Sequence, residues 1–225
     1  MEKINKNDFV EIEFTGYSQG LAFDTTSKEE ANKLGLEADV KPIIISVGNQ
    51  MIINGFDNAL AGKEIGKEYT INIQPKEAFG PRNPSLIRTI PLKVFVQKQI
   101  NPYPGLTVQL DNYLAKILSV SGGRVIVDFN NPLAGKEIEY KFKVTKKVND
   151  EKDKVNAIQD FFFKQRFEFE FKDKKVIFKE EKLRPLIELM NPKLKEISGF
   201  DFLVEDKKKE KEEKKEENTD SKKHE

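Results

Sequence analysis

The sequence contains no cysteine and no tryptophan, and its single histidine is His224. The absence of cysteine excludes disulfides, thiolate nucleophiles and zinc sites built on sulfur. With one histidine near the end of the chain, a Ser-His-Asp triad, histidine acid–base catalysis and histidine metal sites are excluded as well. The sequence therefore predicts a protein that works without a metal or another cofactor.

Long apolar runs and an excess of one charge are also missing. No run approaches the roughly 18 apolar residues that a membrane span needs, and residues 1–6 lack the apolar core of a secretory signal. Lys and Arg total 39 against 38 Asp and Glu, a net charge of +1, which argues against a polyanion as the main partner. We expect a cytoplasmic location, and neither a membrane nor a nucleic acid as partner.

The charged residues are concentrated at the C-terminus. From Glu205 to Glu225, 17 of 21 residues are charged and none is apolar. Such a segment cannot bury enough apolar surface to offset the entropy lost on ordering. Residues 205–225 are therefore expected to form a disordered tail.

Alternating apolar and polar residues predict several half-buried strands. The pattern runs over residues 8–14, where Thr15-Gly16 closes it, over 43–47 and 69–73, and most clearly through Ile138, Tyr140, Phe142 and Val144. A short helix is predicted from Gly55 to Ala61, with Gly62 as a left-handed C-terminal cap. These elements favour a sheet with one small helix.

Two further segments have patterns of their own. Residues 84–130 alternate short apolar runs with turn signals such as Asn101-Pro102 and Ser121-Gly122-Gly123, which predicts a small β-rich insert. Residues 151–204 combine helical spacing with a predicted hairpin around Asp173, and Pro185 and Pro192 each predict the start of a helix. This segment is expected to be a separate α+β domain.

Several short motifs are informative through their order. They are Phe14-Thr15-Gly16, Phe23-Asp24, Ile52-Ile53-Asn54-Gly55-Phe56, Gly62, Gly66, Pro75 and Ala78-Phe79-Gly80. Each is weak alone, because an aromatic residue is often only core and an Asp after a Phe often caps a turn. In this order they resemble the FKBP family of peptidyl-prolyl cis/trans isomerases, over residues 5–83 and again over 131–148.

The resemblance implies an α+β fold with four parts. A half-barrel antiparallel sheet around a short helix would form the isomerase domain from residues 1–83 and 131–150. Residues 84–130 would be a β-rich insert in the flap, similar to that of SlyD-like members. Residues 151–204 would be a C-terminal domain like that of archaeal long-form members, followed by the tail.

The resemblance also implies a site, carried over residue by residue. Asp24, Phe23, Phe14, Phe79 and Tyr140 would form the catalytic wall, with Asp24 acting electrostatically rather than as a proton-transfer base. Ile43, Ile52, Ile53 and Phe56 would bind the substrate, with Phe56 beneath the proline ring and the Ile53 N–H donating to a substrate carbonyl. Phe14 and Phe79 depart from the family pattern, where tyrosine is common, and Phe56 stands where eukaryotic members often have tryptophan.

The implied partners are unfolded or partly folded polypeptides that contain proline. Ile90, Leu92, Val94 and Phe95 would form a chaperone surface on the insert, unless all of them make the core of the insert. Phe161-Phe162-Phe163 would mediate a homodimer through the C-terminal domain, bind clients, or be ordinary core. The rival functions are a holdase without catalysis and an adaptor for a single partner.

Overall fold

The computed structural model describes residues 2–35 and 40–205, so the expected tail from residue 206 onward lies outside the described residues. Residues up to 83 contain β1 (Phe9–Ser18), β2 (Leu21–Thr25), α1 (Lys28–Lys33), β3 (Ile43–Ser46), α2 (Asn54–Leu60) and β4 (Glu68–Ile73). Residues 84–130, the insert, contain β5 (Ile87–Pro91), α3 (Leu92–Gln97), β6 (Thr107–Leu110), β7 (Tyr113–Ser121) and β8 (Arg124–Asp128). The chain then forms β9 (Ile138–Lys147), α4 (Glu151–Ile158), β10 (Phe169–Lys172), β11 (Lys175–Phe178), α5 (Arg184–Ser198) and β12 (Asp201–Val204).

A five-stranded antiparallel sheet forms the body of the molecule, which we define as residues 2–83 and 131–150. Its order is β2-β1-β9-β4, and β3 pairs with the first half of β1 on the edge that β2 occupies further along. The helix α2 lies against this sheet with Phe56 and Leu60 buried. The predicted α+β class and the antiparallel sheet around a short helix are therefore confirmed.

The strand β9 shows why this sheet is half-buried. Ile138, Tyr140, Phe142 and Val144 are at most 4% exposed, while the residues between them are charged and lie at the surface. Successive side chains of a strand point to opposite faces, so this alternation fixes which face lies under α2. The strand predicted from the sequence is confirmed at this position.

The insert is a four-stranded antiparallel sheet of order β5-β8-β7-β6. One face packs on α3 around Phe95, which is 0% exposed, together with Ile117, Val125 and Val127. This core is a hydrophobic cluster distinct from that of the body. The insert therefore has its own core. It is β-rich as predicted, but Leu92–Gln97 form a helix.

A side-chain clasp joins the two chain segments that connect the body with the insert. Asn130 Oδ1 accepts a hydrogen bond from the Asn83 backbone N–H at 2.8 Å, and Asn130 Nδ2 donates to the Asn83 carbonyl at 3.0 Å. Asp128 accepts from Asn130 Nδ2 at 2.6 Å and pairs with Arg82 at 2.5 Å. The Asn130 side chain thus pairs with the backbone N–H and carbonyl of Asn83, as the backbone of a neighbouring strand would. This pairing lies between the body and the insert.

Residues 151–204 form a three-stranded sheet of order β10-β11-β12 with α5 packed on it. The strands β11 and β12 are parallel, and α5 connects them. Ile187, Leu194 and Ile197 bury one face of α5. This core is continuous with that of the body, since a single cluster of buried side chains spans both.

One sequence-based expectation for this region is wrong. Pro185 lies in the first turn of α5 as predicted, but Pro192 does not start a second helix, because α5 runs through Pro192 and ends at Gly199, whose φ is +79°. Burial of the continuous apolar face of α5 offsets the stability lost because Pro192 cannot donate a backbone hydrogen bond. In addition, Asn191 Oδ1 accepts a hydrogen bond from the Phe202 N–H at 2.8 Å, which ties α5 to β12. Residues 159–163 continue α4 as a π-helical turn rather than as α-helix.

The strand β1 is also longer than predicted, because it continues past Gly16 to Ser18 with a register shift between Gly16 and Tyr17. No helix among the described residues is long and apolar enough to cross a membrane.

Candidate active site

Five aromatic side chains meet on the face of the body sheet that α2 covers. Phe56 stacks on Tyr140 with ring centroids 4.6 Å apart, and Phe14 meets both rings edge-on at 5.6 and 5.5 Å. Phe23 lies edge-on to Tyr140 at 6.0 Å and to Phe79 at 5.9 Å. The structure thus brings together aromatic residues from β1, β2, α2, β9 and the turn after β4, the set that the family resemblance implies.

The exposure of these rings increases across the cluster. Phe14, Phe56 and Tyr140 are buried, whereas Phe23 and Phe79 are half-buried. Each aromatic pair adds about 0.5–1.5 kcal/mol beyond the burial of its area. The buried rings therefore form the base of the cluster, and Phe23 and Phe79 form its solvent-facing edge; we call these five rings the aromatic recess.

Gly16 provides the space in which two of these rings sit. It lies between Asp24 on β2 and Tyr140 on β9, each its direct partner across a strand pair. A Cβ at Gly16 would lie 2.7 Å from Phe23 Cζ and 2.8 Å from Tyr140 Cε1. This role is not apparent from the sequence, in which Gly16 marks the end of a predicted strand.

Asp24 supplies the charged group at the rim. Partial desolvation by the surrounding protein raises the pKa of its carboxyl, against the lowering effect of a hydrogen bond from the Thr25 backbone N–H. The residue keeps one side open to solvent. A carboxylate in this position is less well solvated than one in water, so its charge acts more strongly on a bound amide.

Tyr140 carries a hydroxyl that lies within the electrostatic influence of this carboxylate. Burial, and secondarily the negative charge of Asp24, raise the pKa of Tyr140 far above its ordinary value, so the hydroxyl keeps its proton. Within residues 2–35 and 40–205, the hydroxyl forms no hydrogen bond with protein, and the only buried polar side-chain atom without a partner is Ser18 Oγ. The Tyr140 hydroxyl is therefore a donor accessible from the recess.

Ile52 and Ile53 lie in the loop that leads into α2, and both are half-buried against the core of the body. The Ile53 carbonyl accepts from the Phe56 N–H at 3.0 Å, which fixes the two residues relative to each other. In the part of the chain that is described, the Ile53 N–H itself donates to no protein acceptor. The Ile53 N–H is therefore available as a donor to a bound ligand.

Asp57, for which the sequence predicts no role, stabilises the first residues of the same loop through hydrogen bonds. Its side chain is buried, and its two oxygens accept from the backbone N–H groups of Gly48 and Gln50, both at 2.7 Å. Gly48 and Gln50 have φ values of +78° and +59°. Asp57 thus stabilises a loop conformation that positive φ values make costly, and places Ile52 and Ile53.

Ile43 lies opposite Ile12 across the β1–β3 pair, and therefore on the sheet face that Phe14 also occupies. It also lines a groove of about 320 Å³ between β3 and α4, together with Met51, Ala157 and Phe161. The structure therefore places Ile43 at the boundary between the body and the C-terminal unit.

The residues predicted as a chaperone surface are divided by the structure. Phe95 is 0% exposed in the core of the insert, so it does not belong to the exposed surface to which sequence reasoning assigned it. Ile90 and Leu92 pack against the same core and are half-buried, as is Val94. The reason is that α3 turns this stretch towards the sheet, which leaves Val96 as its exposed aliphatic residue at 64%.

Comparison with known families gives two matches on this chain. Residues 1–93 match the family model described as FKBP-type peptidyl-prolyl cis-trans isomerase. Residues 88–133 match the model described as the IF domain of FKBP26. The first range contains all the predicted catalytic and substrate-binding residues except Tyr140, and the second covers most of the insert.

Individual relatives point the same way. The short-type peptidyl-prolyl cis-trans isomerase of Methanocaldococcus jannaschii is 36% identical over 144 residues, which cover 63% of this chain and 92% of that protein. The SlyD protein of Haemophilus influenzae is 26% identical, over 63% of this chain and 71% of its own. A 16 kDa FKBP-type isomerase of Escherichia coli is 25% identical, over 64% of this chain and 93% of its own.

Proposed function

Because this chain belongs to the family of FKBP-type peptidyl-prolyl cis-trans isomerases, we propose that the aromatic recess catalyses X–Pro isomerisation in folding polypeptides without covalent chemistry. The observation that carries the proposal is the aromatic recess with one partly desolvated carboxylate, Asp24, and one free hydroxyl, that of Tyr140, beside it. An enzyme of this kind needs neither a thiol nor an imidazole.

The physical basis is the resonance of the amide. Rotation about the peptide bond has a barrier of roughly 18–20 kcal/mol, and X–Pro isomers exchange over tens of seconds or longer. The twisted amide has lost resonance and is less dipolar, so an apolar recess favours it relative to the planar amide that water solvates better. Each roughly 1.4 kcal/mol of preferential stabilisation accelerates the exchange tenfold.

We assign the groups of the recess as follows. The proline ring packs between Ile52 and Phe23, above the buried rings that include Phe56. The Ile53 N–H and the Tyr140 hydroxyl donate hydrogen bonds to substrate carbonyls and hold the peptide while the bond turns. Asp24 acts through its charge near the twisting amide, whose nitrogen becomes more basic as resonance is lost. The Tyr140 hydroxyl offsets the hydroxyl that Phe79 lacks.

Replacing Asp24 by alanine should lower kcat/KM for a short X–Pro peptide by about tenfold, or roughly 1.4 kcal/mol of transition-state stabilisation. The fall in activity of the wild type at acid pH should occur at a higher pH than the ordinary pKa of an aspartate predicts, because partial desolvation raises the pKa of Asp24. That fall should be missing in the variant. NMR exchange spectroscopy of the peptide measures both quantities.

Asp111→Ala is the matched control, because Asp111 is an exposed carboxylate on the insert, with 88% of its side chain exposed. Its rate and pH profile should equal those of the wild type. An unchanged rate in Asp24→Ala would show that the rings alone catalyse the reaction and that the role given to Asp24 is wrong.

We further propose that the insert is a chaperone module. On β7, Ala115 and Ile117 are buried while Leu114 and Leu118 are 60% and 36% exposed, and Ile126 on β8 is 38% exposed. These three aliphatic side chains lie on the sheet face opposite α3, which we call the outer face. Antiparallel sheets usually turn a polar face to water, so exposed aliphatic residues here indicate a binding surface.

The two modules would act together through proximity. A client held on the outer face remains close to the aromatic recess, which raises its effective concentration there. The predicted division into isomerase body, insert and C-terminal domain is part of this proposal. A holdase without catalysis and an adaptor for one partner are the alternatives, and the Asp24 experiment and the breadth of clients distinguish them.

Replacing Leu114 and Ile126 together by asparagine should at least halve the suppression of aggregation of an unfolded client, because the variant removes apolar surface that the client would bury. The isomerisation rate of a short peptide should stay unchanged. Light scattering of a diluted, denatured client measures the first, and NMR exchange the second.

Leu189→Asn serves as the control, because Leu189 is 80% exposed on α5 and lies outside the insert. If Leu189→Asn reduces the suppression and the double variant does not, the client surface lies on the C-terminal unit instead. Thermal unfolding of the wild type and both variants confirms that they are equally folded.

The expected homodimer through residues 151–204 and the cytoplasmic location remain predictions. Phe161, Phe162 and Phe163 are half-buried against the core. The most exposed large apolar side chain described in residues 151–204 is instead Leu189. The Leu189→Asn variant therefore also tests the dimer, through its effect on the molar mass measured by light scattering.

A further inference from the structure

The outer face combines its aliphatic residues with positive charge. Lys116 lies on β7 between Leu114 and Leu118, and it is paired across the sheet with Thr107 and Asp128. Arg124 lies on β8 two residues before Ile126, so it shares the same face. The aliphatic residues and the two cations thus alternate along adjacent strands.

The whole insert is cationic. Residues 84–130 contain five basic residues, Arg88, Lys93, Lys98, Lys116 and Arg124, and two acidic residues, Asp111 and Asp128. Net charge within this segment is therefore +3, while the complete chain carries only +1. The positive charge is concentrated on the module that carries the exposed aliphatic face.

Both acidic residues of the insert are already engaged. Asp111 pairs with Lys98 at 2.9 Å. Asp128 pairs with Arg82 at 2.5 Å and accepts two hydrogen bonds from Asn130. Across residues 2–35 and 40–205, no carboxylate forms an ion pair with Lys116 or Arg124. Two cations therefore remain available to a ligand beside the aliphatic side chains.

We infer that the outer face selects unfolded clients in which apolar residues stand next to Asp or Glu. This inference rests on the proposed chaperone function of the insert and adds a substrate preference to it. Apolar contact would supply most of the affinity, and the two cations would discriminate between acidic and basic neighbours of the apolar residues. A basic client would place like charges beside Lys116 and Arg124.

Two proline-free, unstructured peptides test the preference without involving the aromatic recess. Both have the same leucines and phenylalanines, flanked in one by Asp and Glu and in the other by Lys. At low ionic strength the acidic peptide should bind the full-length protein about five- to tenfold more tightly, and this advantage should approach unity near 0.5 M salt because salt screens exposed charges. Fluorescence anisotropy gives both dissociation constants.

Charge-reversed variants locate the effect. Lys116→Glu with Arg124→Glu should invert the preference, and Lys116→Gln with Arg124→Gln should abolish it with less perturbation of folding. Lys67→Glu with Lys174→Glu makes the same change in net charge at exposed lysines outside the insert. That control should retain the preference of the wild type.

The outcomes separate this inference from the function on which it rests. Equal binding of both peptides to the wild type, with client aggregation still suppressed, overturns the charge preference and leaves the chaperone function standing. A preference that survives the reversal at Lys116 and Arg124 overturns the assignment to the outer face. Failure to bind either peptide, together with unprotected clients, overturns the chaperone function itself.

Discussion

Gly16→Ala is expected to reduce kcat/KM for an X–Pro peptide by tenfold or more. The new methyl group would lie 2.7 Å from the Phe23 ring and 2.8 Å from the Tyr140 ring, closer than carbon atoms approach each other. Both rings form the recess, and neither can move without disturbing Phe79 or Phe56, its neighbours in the cluster. Overpacking of this kind also costs roughly 1–3 kcal/mol of stability. NMR exchange measures the rate, and urea denaturation the stability.

Gly66→Ala is the matched control for the loss of stability. Gly66 has a φ of +82° and open space around its Cα, so alanine there is strained without meeting another side chain. The strain should lower the free energy of unfolding by about 1 kcal/mol. The kcat/KM for the X–Pro peptide should not change. If both variants lose activity in proportion to stability, Gly16 has no specific role in shaping the recess.

Asp57→Ala is expected to lower the free energy of unfolding by about 3 kcal/mol, because two buried backbone donors lose a charged acceptor. The N–H groups of Gly48 and Gln50 would have no other partner in a loop with positive φ values. Because this loop leads to Ile52 and Ile53, KM for peptide should also rise. Urea denaturation with an unchanged m value gives the first quantity, and steady-state kinetics the second.

Asp57→Asn provides the graded comparison. An asparagine side chain keeps one oxygen acceptor, so only one of the two hydrogen bonds should survive, and the loss should be about half of that in Asp57→Ala. Equal losses in the two variants would mean that the negative charge next to the start of α2, rather than the two hydrogen bonds, stabilises the loop.

The sheet and the aromatic recess could be predicted because they depend on repeating patterns and on motif order. Alternation marks β9 without any tertiary information, since Tyr140 and Phe142 are separated by a lysine that lies at the surface. The five ring-bearing site residues come from distant segments, and only the resemblance to a known family placed them together. Residue spacing alone would have left them as ordinary core.

The errors come from choices that tertiary contacts decide. A proline such as Pro192 usually starts a helix, but the packing of Leu194 and Ile197 carries α5 through it. Phe95 belongs to an apolar run that does not reveal which of its members face the core, and α3 buries it. The roles of Gly16 and Asp57 are hidden for another reason. Gly16 matters because it has no Cβ, which leaves room for two rings. Asp57 matters because it accepts hydrogen bonds from backbone N–H groups seven and nine residues away.

The clasp between Asn83 and Asn130 bears on how such a chain can change over evolutionary time. Because the two residues are hydrogen-bonded to each other, the chain leaves the body and returns to it at a single point. A tight turn could therefore replace the 46 intervening residues, 84–129, without moving any strand of the body, and loops of very different length close such a gap at similar entropic cost. The insert is thus structurally separable, because the sheet of the body does not depend on the length or composition of residues 84–129.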